Sequence, residues 1–246
     1  MAEVLITLGI IGVVAALTLP SLIQKYQKQQ AVTQLKSTYM TLAQAFEHAQ
    51  ADYGDVSTWG IDEIYGATSG EKDLIKSFVE KYFLPYVKPA KNYGYTKLKN
   101  IGYSGIYRLN REKDNNTLGS YRYIIALTNG AIVQFSIDGY CYGDMGIDQN
   151  GKRYCTTDWR YTNVYIIADI NGLKLPNTYG KDFFVMSVNT GTNKFEFYNY
   201  SDKANNRNWL LKACSAEYSN SLTNTNEDRH CGRLIQLDGW KINYNW

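Results

Sequence analysis

Histidine is nearly absent from this sequence of 246 residues, which holds only His48 and His230. No Gly-x-Ser-x-Gly elbow, His-Glu-x-x-His pair or Cys-x-x-Cys accompanies them, so no nucleophile, base and orienting group assemble along the chain. The expectation is a protein that is not an enzyme. One string, Gly146-x-x-x-x-Gly151-Lys152, imitates a phosphate loop. Arg153 stands where Ser or Thr would hold Mg²⁺, no strand-to-helix context surrounds it, and it reads as chance. Excess charge of either sign is lacking too, because 26 Lys and Arg against 23 Asp and Glu leave a net +3. That total gives no argument for nucleic acid or an anionic surface as partner. There is no domain-sized linker, no repeat array and no low-complexity tract. The most telling absence is local: from Val4 to Gln24 there is no charged side chain at all.

About 20 apolar residues suffice to cross a bilayer core as a helix. Glu3 stands alone at the head of this run, and a carboxylate carried deep into lipid costs roughly 2.5–3.5 kcal/mol. Such a charge is kept because it meets a partner, so the segment reads as built to bind something within the membrane. A secretory signal peptide would instead place Lys or Arg before the run and a small-residue cleavage site after it. Here the basic residues follow (Lys25, Lys28), no cleavage pattern comes after Leu19, and the run continues into a helical pattern. A plain single-span anchor stays open as the alternative.

Past Pro20, apolar residues at Val32, Leu35, Tyr39, Leu42, Phe46 and Ala49 step by three and four, one stripe of an amphipathic helix ending near Tyr53–Gly54. Joined to the apolar run it makes a rod of about 48 residues, roughly 70 Å long, bent at Pro20. A second, short amphipathic helix spans 71–84 and is stopped by Pro85. The period then changes to two. Residues 121–128, the Asn129-Gly130 turn and residues 131–137 form the strongest hairpin signal. Segments 163–169, 182–188 and 194–199 read as further antiparallel strands. The fold class is α+β, a long kinked N-terminal helix packed on an antiparallel sheet. Residues 1–23 form the membrane or filament-core helix, and 24–246 a globular domain that includes the amphipathic half of the helix. The 22 tyrosines supply half-polar contact area suited to strands and protein interfaces.

The four cysteines allow three connectivities, and loop closure favours the sequence-local one, Cys141 with Cys155 and Cys214 with Cys231. Disulfides imply a domain outside the cytoplasm. Lys25 and Lys28 argue the other way by the positive-inside rule. Two loops share an Asp-x-Asn-Gly pattern, 148–151 and 169–172. Asp169, Asn171 and Asp182 offer oxygens that could hold calcium, but without EF-hand spacing or a terminal Glu, and the plainer reading is an Asx-turn.

The segment 2–16, Ala-Glu-Val-Leu-Ile-Thr-Leu-Gly-Ile-Ile-Gly-Val-Val-Ala-Ala, followed by Pro20, resembles the N-terminus of type IV pilins and type II secretion pseudopilins. The string 173–183 after the second Asp-x-Asn-Gly resembles a loop common in pilin-like domains, and the region from Cys214 through 232–242 resembles their disulfide-bounded C-terminus. In that family a short basic leader ending in Gly, then Phe-Thr-Leu, precedes this segment; a prepilin peptidase removes the leader and methylates the new amino terminus. This sequence starts at Met1 where the family has Leu, so leader, Gly and Phe are absent, which suggests a shortened polypeptide or a misplaced start. The missing leader would supply the charge opposing Lys25 and Lys28.

The resemblance implies a pilin-like fold and a structural subunit of a pilus or pseudopilus. It implies storage as a single-pass protein of the bacterial inner membrane, with the domain in the periplasm, and then assembly into a filament. Partners would be other pilin or pseudopilin subunits, the prepilin peptidase and an inner-membrane assembly platform, with no nucleic acid. Glu3 would pair with an adjacent subunit's N-terminal amine, Gly9 and Gly12 would permit close helix approach, and Pro20 would kink the helix. Some pseudopilins bind calcium in a loop, the one cofactor the resemblance brings. The rival from another class is a membrane-anchored periplasmic binding or adhesion domain that never polymerises.

Overall fold

The computed structural model describes residues 2–60, 71–141, 145–147, 149, 153–155, 160–199, 202–217 and 227–245. Helix α1 runs from Ala2 to Tyr53, 52 residues with Pro20 inside, about 78 Å at 1.5 Å per residue. It ends where expected: Gly54 takes a positive φ of 79° and its N–H returns to the Gln50 carbonyl at 2.8 Å. The buried face is centred differently from the expected stripe. Ala31, Leu35, Thr38, Leu42, Ala45 and Ala49 are the buried seam, with Phe46 beside it, while Val32 and Tyr39 are only partly covered. The seam steps by four and three without a break, and three of its positions are alanine. Small side chains let the helix axis approach the sheet, and a reading that follows the largest apolar residues passes them over.

Helix α2 (Glu71–Tyr82) buries Ile75, Phe78, Val79 and Tyr82. It stops before Phe83, and Pro85 then sits in the first turn of a short helix α3 (Leu84–Val87), where a missing N–H costs nothing. The remaining elements, in chain order, are β1 (Lys91–Lys97), α4 (Asn115–Gly119), β2 (Tyr121–Ala126), β3 (Ile132–Cys141), β4 (Met145–Ile147), β5 (Arg153–Cys155), β6 (Arg160–Asp169), β7 (Phe183–Asn189), β8 (Lys194–Phe197), α5 (Arg207–Ala213) and α6 (Cys231–Leu237).

Six strands form one sheet in the order β1-β2-β3-β6-β7-β8, every pairing antiparallel. The small pair β4-β5 is an excursion between neighbours β3 and β6. The expected α+β class is thus observed, with the long helix packed on an antiparallel sheet. The strand β1 is an addition: Gly94 and an irregular register at 92–94 break the period-two signal there.

The β2–β3 connection is wider than a two-residue turn. Leu127 and Ala131 close it, Gly130 N–H bonds the Leu127 carbonyl at 3.0 Å, and only Gly130 has positive φ, the three-residue loop with a left-handed glycine. Asn129 Nδ2 donates to the buried Thr38 Oγ1 at 3.0 Å, fastening this turn to α1.

Alternation puts one set of strand residues against the helices: Tyr123, Ile125, Val133, Phe135, Val164, Ile166, Phe184, Met186 and Val188. The other face is covered too, by Leu98, Tyr103, Ile106 and Tyr179 packed on Ile124, Ile132, Ile167 and Val185. At the β8 edge Phe197 is fully buried, stacked on Tyr39 of α1 at a ring distance of 4.6 Å. Helix α6 crosses that ring at Gly232, where a Cβ would lie 2.3 Å from Phe197 Cδ1. Gly232→Ala should therefore destabilise the domain by about 1–3 kcal/mol through overpacking. Denaturant unfolding that leaves the midpoint unchanged would show that Phe197 can move aside.

Candidate functional site: an uncovered apolar helix and the loop beside it

The domain covers α1 only from Lys28 onward; before it, almost every described side chain of α1 is exposed. Between residues 4 and 23, eleven large apolar side chains are between 51% and 75% exposed, Leu17 the most. At about 1.5–3 kcal/mol for burying each, this surface is worth roughly 15–30 kcal/mol to whatever covers it. The helix is long and apolar enough to cross a membrane, with a mean hydropathy of 2.3 over its apolar window.

The hydroxyls within this half are satisfied by its own backbone. Thr7 donates to the Val4 carbonyl, Thr18 to Val14 and Ser21 to Thr18, at 2.8–2.9 Å, as an apolar surrounding requires. Pro20 brings no N–H, so the Ala16 carbonyl lacks its helical partner. A Cβ at Gly9 or Gly12 would meet nothing within 4 Å, so nothing in the fold of this chain calls for glycine there. Residue 3 lies in the helix, but the Glu3 side chain is outside the described part.

Beside the first covered turn of α1 lies the loop that follows β6. Asp169 is fully buried, Asp182 nearly so, and Asn171 half-buried. The structure brings these three together. Asp169 accepts from Tyr103 Oη at 2.6 Å and from Asn171 N–H at 3.2 Å. Asp182 accepts from the Thr178 and Asn177 N–H groups, and from Asn171 Nδ2 at 3.1 Å. The Asp169–Asn171 contact is an Asx-turn; the Asp169 and Asp182 carboxylate oxygens already receive protein donors, whereas Asn171 Oδ1 is buried with no hydrogen-bond partner. Among the described residues no group of three His, Cys, Asp or Glu side chains is placed to hold a metal ion. Gly172 (φ 70°) closes the turn, where a Cβ would stand 2.8 Å from the Gly130 carbonyl oxygen. The other Asp-x-Asn-Gly loop falls outside the described residues except for Gln149, as do Gly151 and Lys152 of the phosphate-loop imitation.

Cys214 caps α5, Cys231 opens α6, and the two form a disulfide across 17 positions. The side chains of Cys141 and Cys155 lie outside the described part. Their backbones sit on different pairings, Cys141 opposite Arg160 and Cys155 opposite Met145.

Near the bridge, Arg108 makes a two-pronged ion pair with Asp228, at 2.8 Å from Nε and 2.5 Å from Nη2. Tyr179 lies within reach of both the Arg108 and Arg229 guanidiniums. His230 is enclosed by Tyr198 and Trp209, with Nδ1 3.2 Å from the Tyr198 carbonyl. Local spacing carries no sign of this cluster, in which Arg108 and Asp228 are 120 residues apart. His48, by contrast, lies exposed on α1, stacked on Tyr86.

An α+β domain hung on a helix of membrane-crossing length is what this fold and surface define. The chain belongs to a family of unknown function (DUF6613), whose model matches residues 21–246. That match begins directly after Pro20 and takes in the whole folded domain. No curated protein and no solved structure matches the chain.

Buried carboxylates and a buried histidine tie stability to pH with opposite sign. Burial pushes Asp182 up to about 6, against about 3.9 unfolded, so its contribution is full below about pH 4 and is lost as pH rises through 6. Asp169 is shifted the same way, by burial first and then by the Asp182 charge. Burial pushes His230 down to about 4, against about 6.5 unfolded; its contribution is present above that and is lost as pH falls through 4. The effects oppose each other between pH 4 and 6.5. His230→Asn, which keeps a donor for the Tyr198 carbonyl, should therefore leave a melting temperature that falls steadily from about pH 4 to 7. Thermal unfolding in detergent gives the profile, and one that keeps the native shape rejects the opposition.

Proposed function

We propose that this chain is a structural subunit of the pilin-like kind, belonging to a type IV pilus or a type II secretion pseudopilus, that polymerises through the apolar half of α1. The observation that carries this reading is the eleven large apolar side chains left uncovered by their own domain, with Glu3 at the head of the run. In the inner membrane, lipid covers them and the domain faces the periplasm, a compartment that suits the Cys214–Cys231 bridge. On assembly, neighbouring helices replace lipid. Glu3 then meets a cation on the next subunit, by resemblance its N-terminal amine, and this pair sets the register. Gly9 and Gly12, with open space around them, allow close approach between helices. Pro20 lets the rod bend within its uncovered half.

The role is structural rather than catalytic. The resemblance of residues 2–16 and of the 173–183 loop to the pilin family supports it. An anchored periplasmic binding or adhesion domain shares the span but has no use for Glu3. In the native host, Glu3→Ala should therefore lower the protein recovered in sheared surface filaments by roughly tenfold or more while its membrane level stays normal, since breaking a buried ion pair costs about 3–5 kcal/mol. Equal recovery of variant and native protein rejects polymerisation through Glu3 and leaves the anchored domain.

A further inference from the structure

We infer that the loop at residues 173–176, with the basic side chains around it, docks on the anionic headgroup layer of the membrane that α1 crosses. The inference rests on the single-span reading above and adds a second membrane contact to it.

Depth is the first argument. Lys28 comes five residues after Ile23, the last residue of the uncovered run, a rise of about 7.5 Å. The headgroup layer adds about 5–7 Å beyond the hydrocarbon on each side. Lys28 Nζ donates to the Tyr244 carbonyl at 2.8 Å, and Tyr244 Oη donates to the Gly180 carbonyl. Gly180, four residues beyond the loop, is thereby linked through Tyr244 to Lys28. Lys174, Leu175 and Pro176 share a cleft of about 450 Å³ with Gln24, Gln27, Gln30, Ala31 and Gln34 of α1, the three turns that follow the apolar run. The loop thus stands beside the turns of α1 that directly follow the apolar run.

Exposure is the second. Residues 173–176, Leu-Lys-Leu-Pro, are all exposed. Among the described residues outside the apolar run, the three most exposed large apolar side chains are Leu175 at 71%, Tyr26 at 67% and Leu173 at 52%. All three are at this end of the domain. Tyrosine at such a level is the usual interfacial residue, an apolar ring with a polar tip.

Charge is the third. Lys174 and Lys181 line the cleft against α1, and Arg111 and Lys181 line a second cleft on the other side of Pro176. Lys25 lies exposed on the helix. The acidic residue lining these clefts, Asp182, is buried and turned onto the Thr178 and Asn177 N–H groups and Asn171 Nδ2. A basic rim around an apolar tip matches phosphate above acyl chain. The net charge of +3 for the whole chain conceals it.

The test uses the full chain in nanodiscs whose lipids carry bromine near the headgroup, with one fluorophore on an introduced cysteine. Leu8→Cys reports on the span, Leu175→Cys on the loop, and Asn193→Cys, beside Gln50 at the far end of α1, serves as the distant control. In phosphatidylglycerol discs the labels at 8 and 175 should be quenched and that at 193 should not. Adding Lys174→Gln and Lys181→Gln should lower the docked-to-free ratio at 175 roughly 30-fold, at about 1 kcal/mol per lysine. Quenching at 8 without quenching at 175 overturns the docking and leaves the span standing. No quenching at either position overturns both. Quenching at 175 that is equal in phosphatidylcholine, or indifferent to the lysine changes, overturns the anionic chemistry.

Discussion

Where α1 turns Ala31, Leu35, Thr38, Leu42, Ala45 and Ala49 onto the sheet, it comes close enough for Thr38 to accept a hydrogen bond from Asn129 in the β2–β3 turn. Everything else is referred to that seam. It fixes the helix axis against the sheet, and so decides that the domain begins at the level of Lys28 and that the preceding turns stand clear. It also brings Tyr39 onto Phe197, and through Phe197 it sets how closely α6 can lie. A bulkier seam would lift the helix, break the Thr38 contact and open the aromatic cluster at the β8 edge at the same time. Packing of this density leaves little room for independent adjustment.

The helix, the central hairpin and strands β6 to β8 were legible because each carries a period that one sequence window can show. The seam was only half legible. Leu35, Leu42, Phe46 and Ala49 lie on the expected stripe, but alanine and threonine do not announce burial. The C-terminal cluster was illegible for another reason. Arg108 and Asp228 are 120 positions apart, and a pair made by tertiary folding leaves no local trace. Glu3, Gly9, Gly12 and Pro20 could be picked out from sequence because an isolated charge, two glycines and a proline are conspicuous in an apolar run. The loop at 169–183 was visible as a pattern, whereas its nearness to α1 depends on Tyr244, almost at the other end of the chain.

The second face of the sheet is closed by irregular chain and short helical turns, α4 among them, with Tyr103, Tyr179 and Tyr198 among its ring contacts. This accounts for part of the tyrosine content. A ring can fill space while its hydroxyl satisfies a polar group that irregular backbone leaves open, as Tyr103 does for Asp169 and Tyr179 for Thr117. Asp169 is held this way, and among the described residues no cation pairs with it. The Arg108–Asp228 pair and the Cys214–Cys231 bridge hold the last helices in place by stronger means.

Helix α1 is continuous from Ala2 to Tyr53, and that continuity has a mechanical consequence. A pull along its axis from the apolar end does not peel the helix from the sheet one turn at a time. The seam runs parallel to the load, so its contacts are strained together, in shear, and must fail together. Forced unfolding is governed by the rate of crossing that barrier rather than by equilibrium stability. The domain is thus built to be dragged by its stem without opening, and the Tyr244 link between Lys28 and Gly180 secures it at the end where the strain enters.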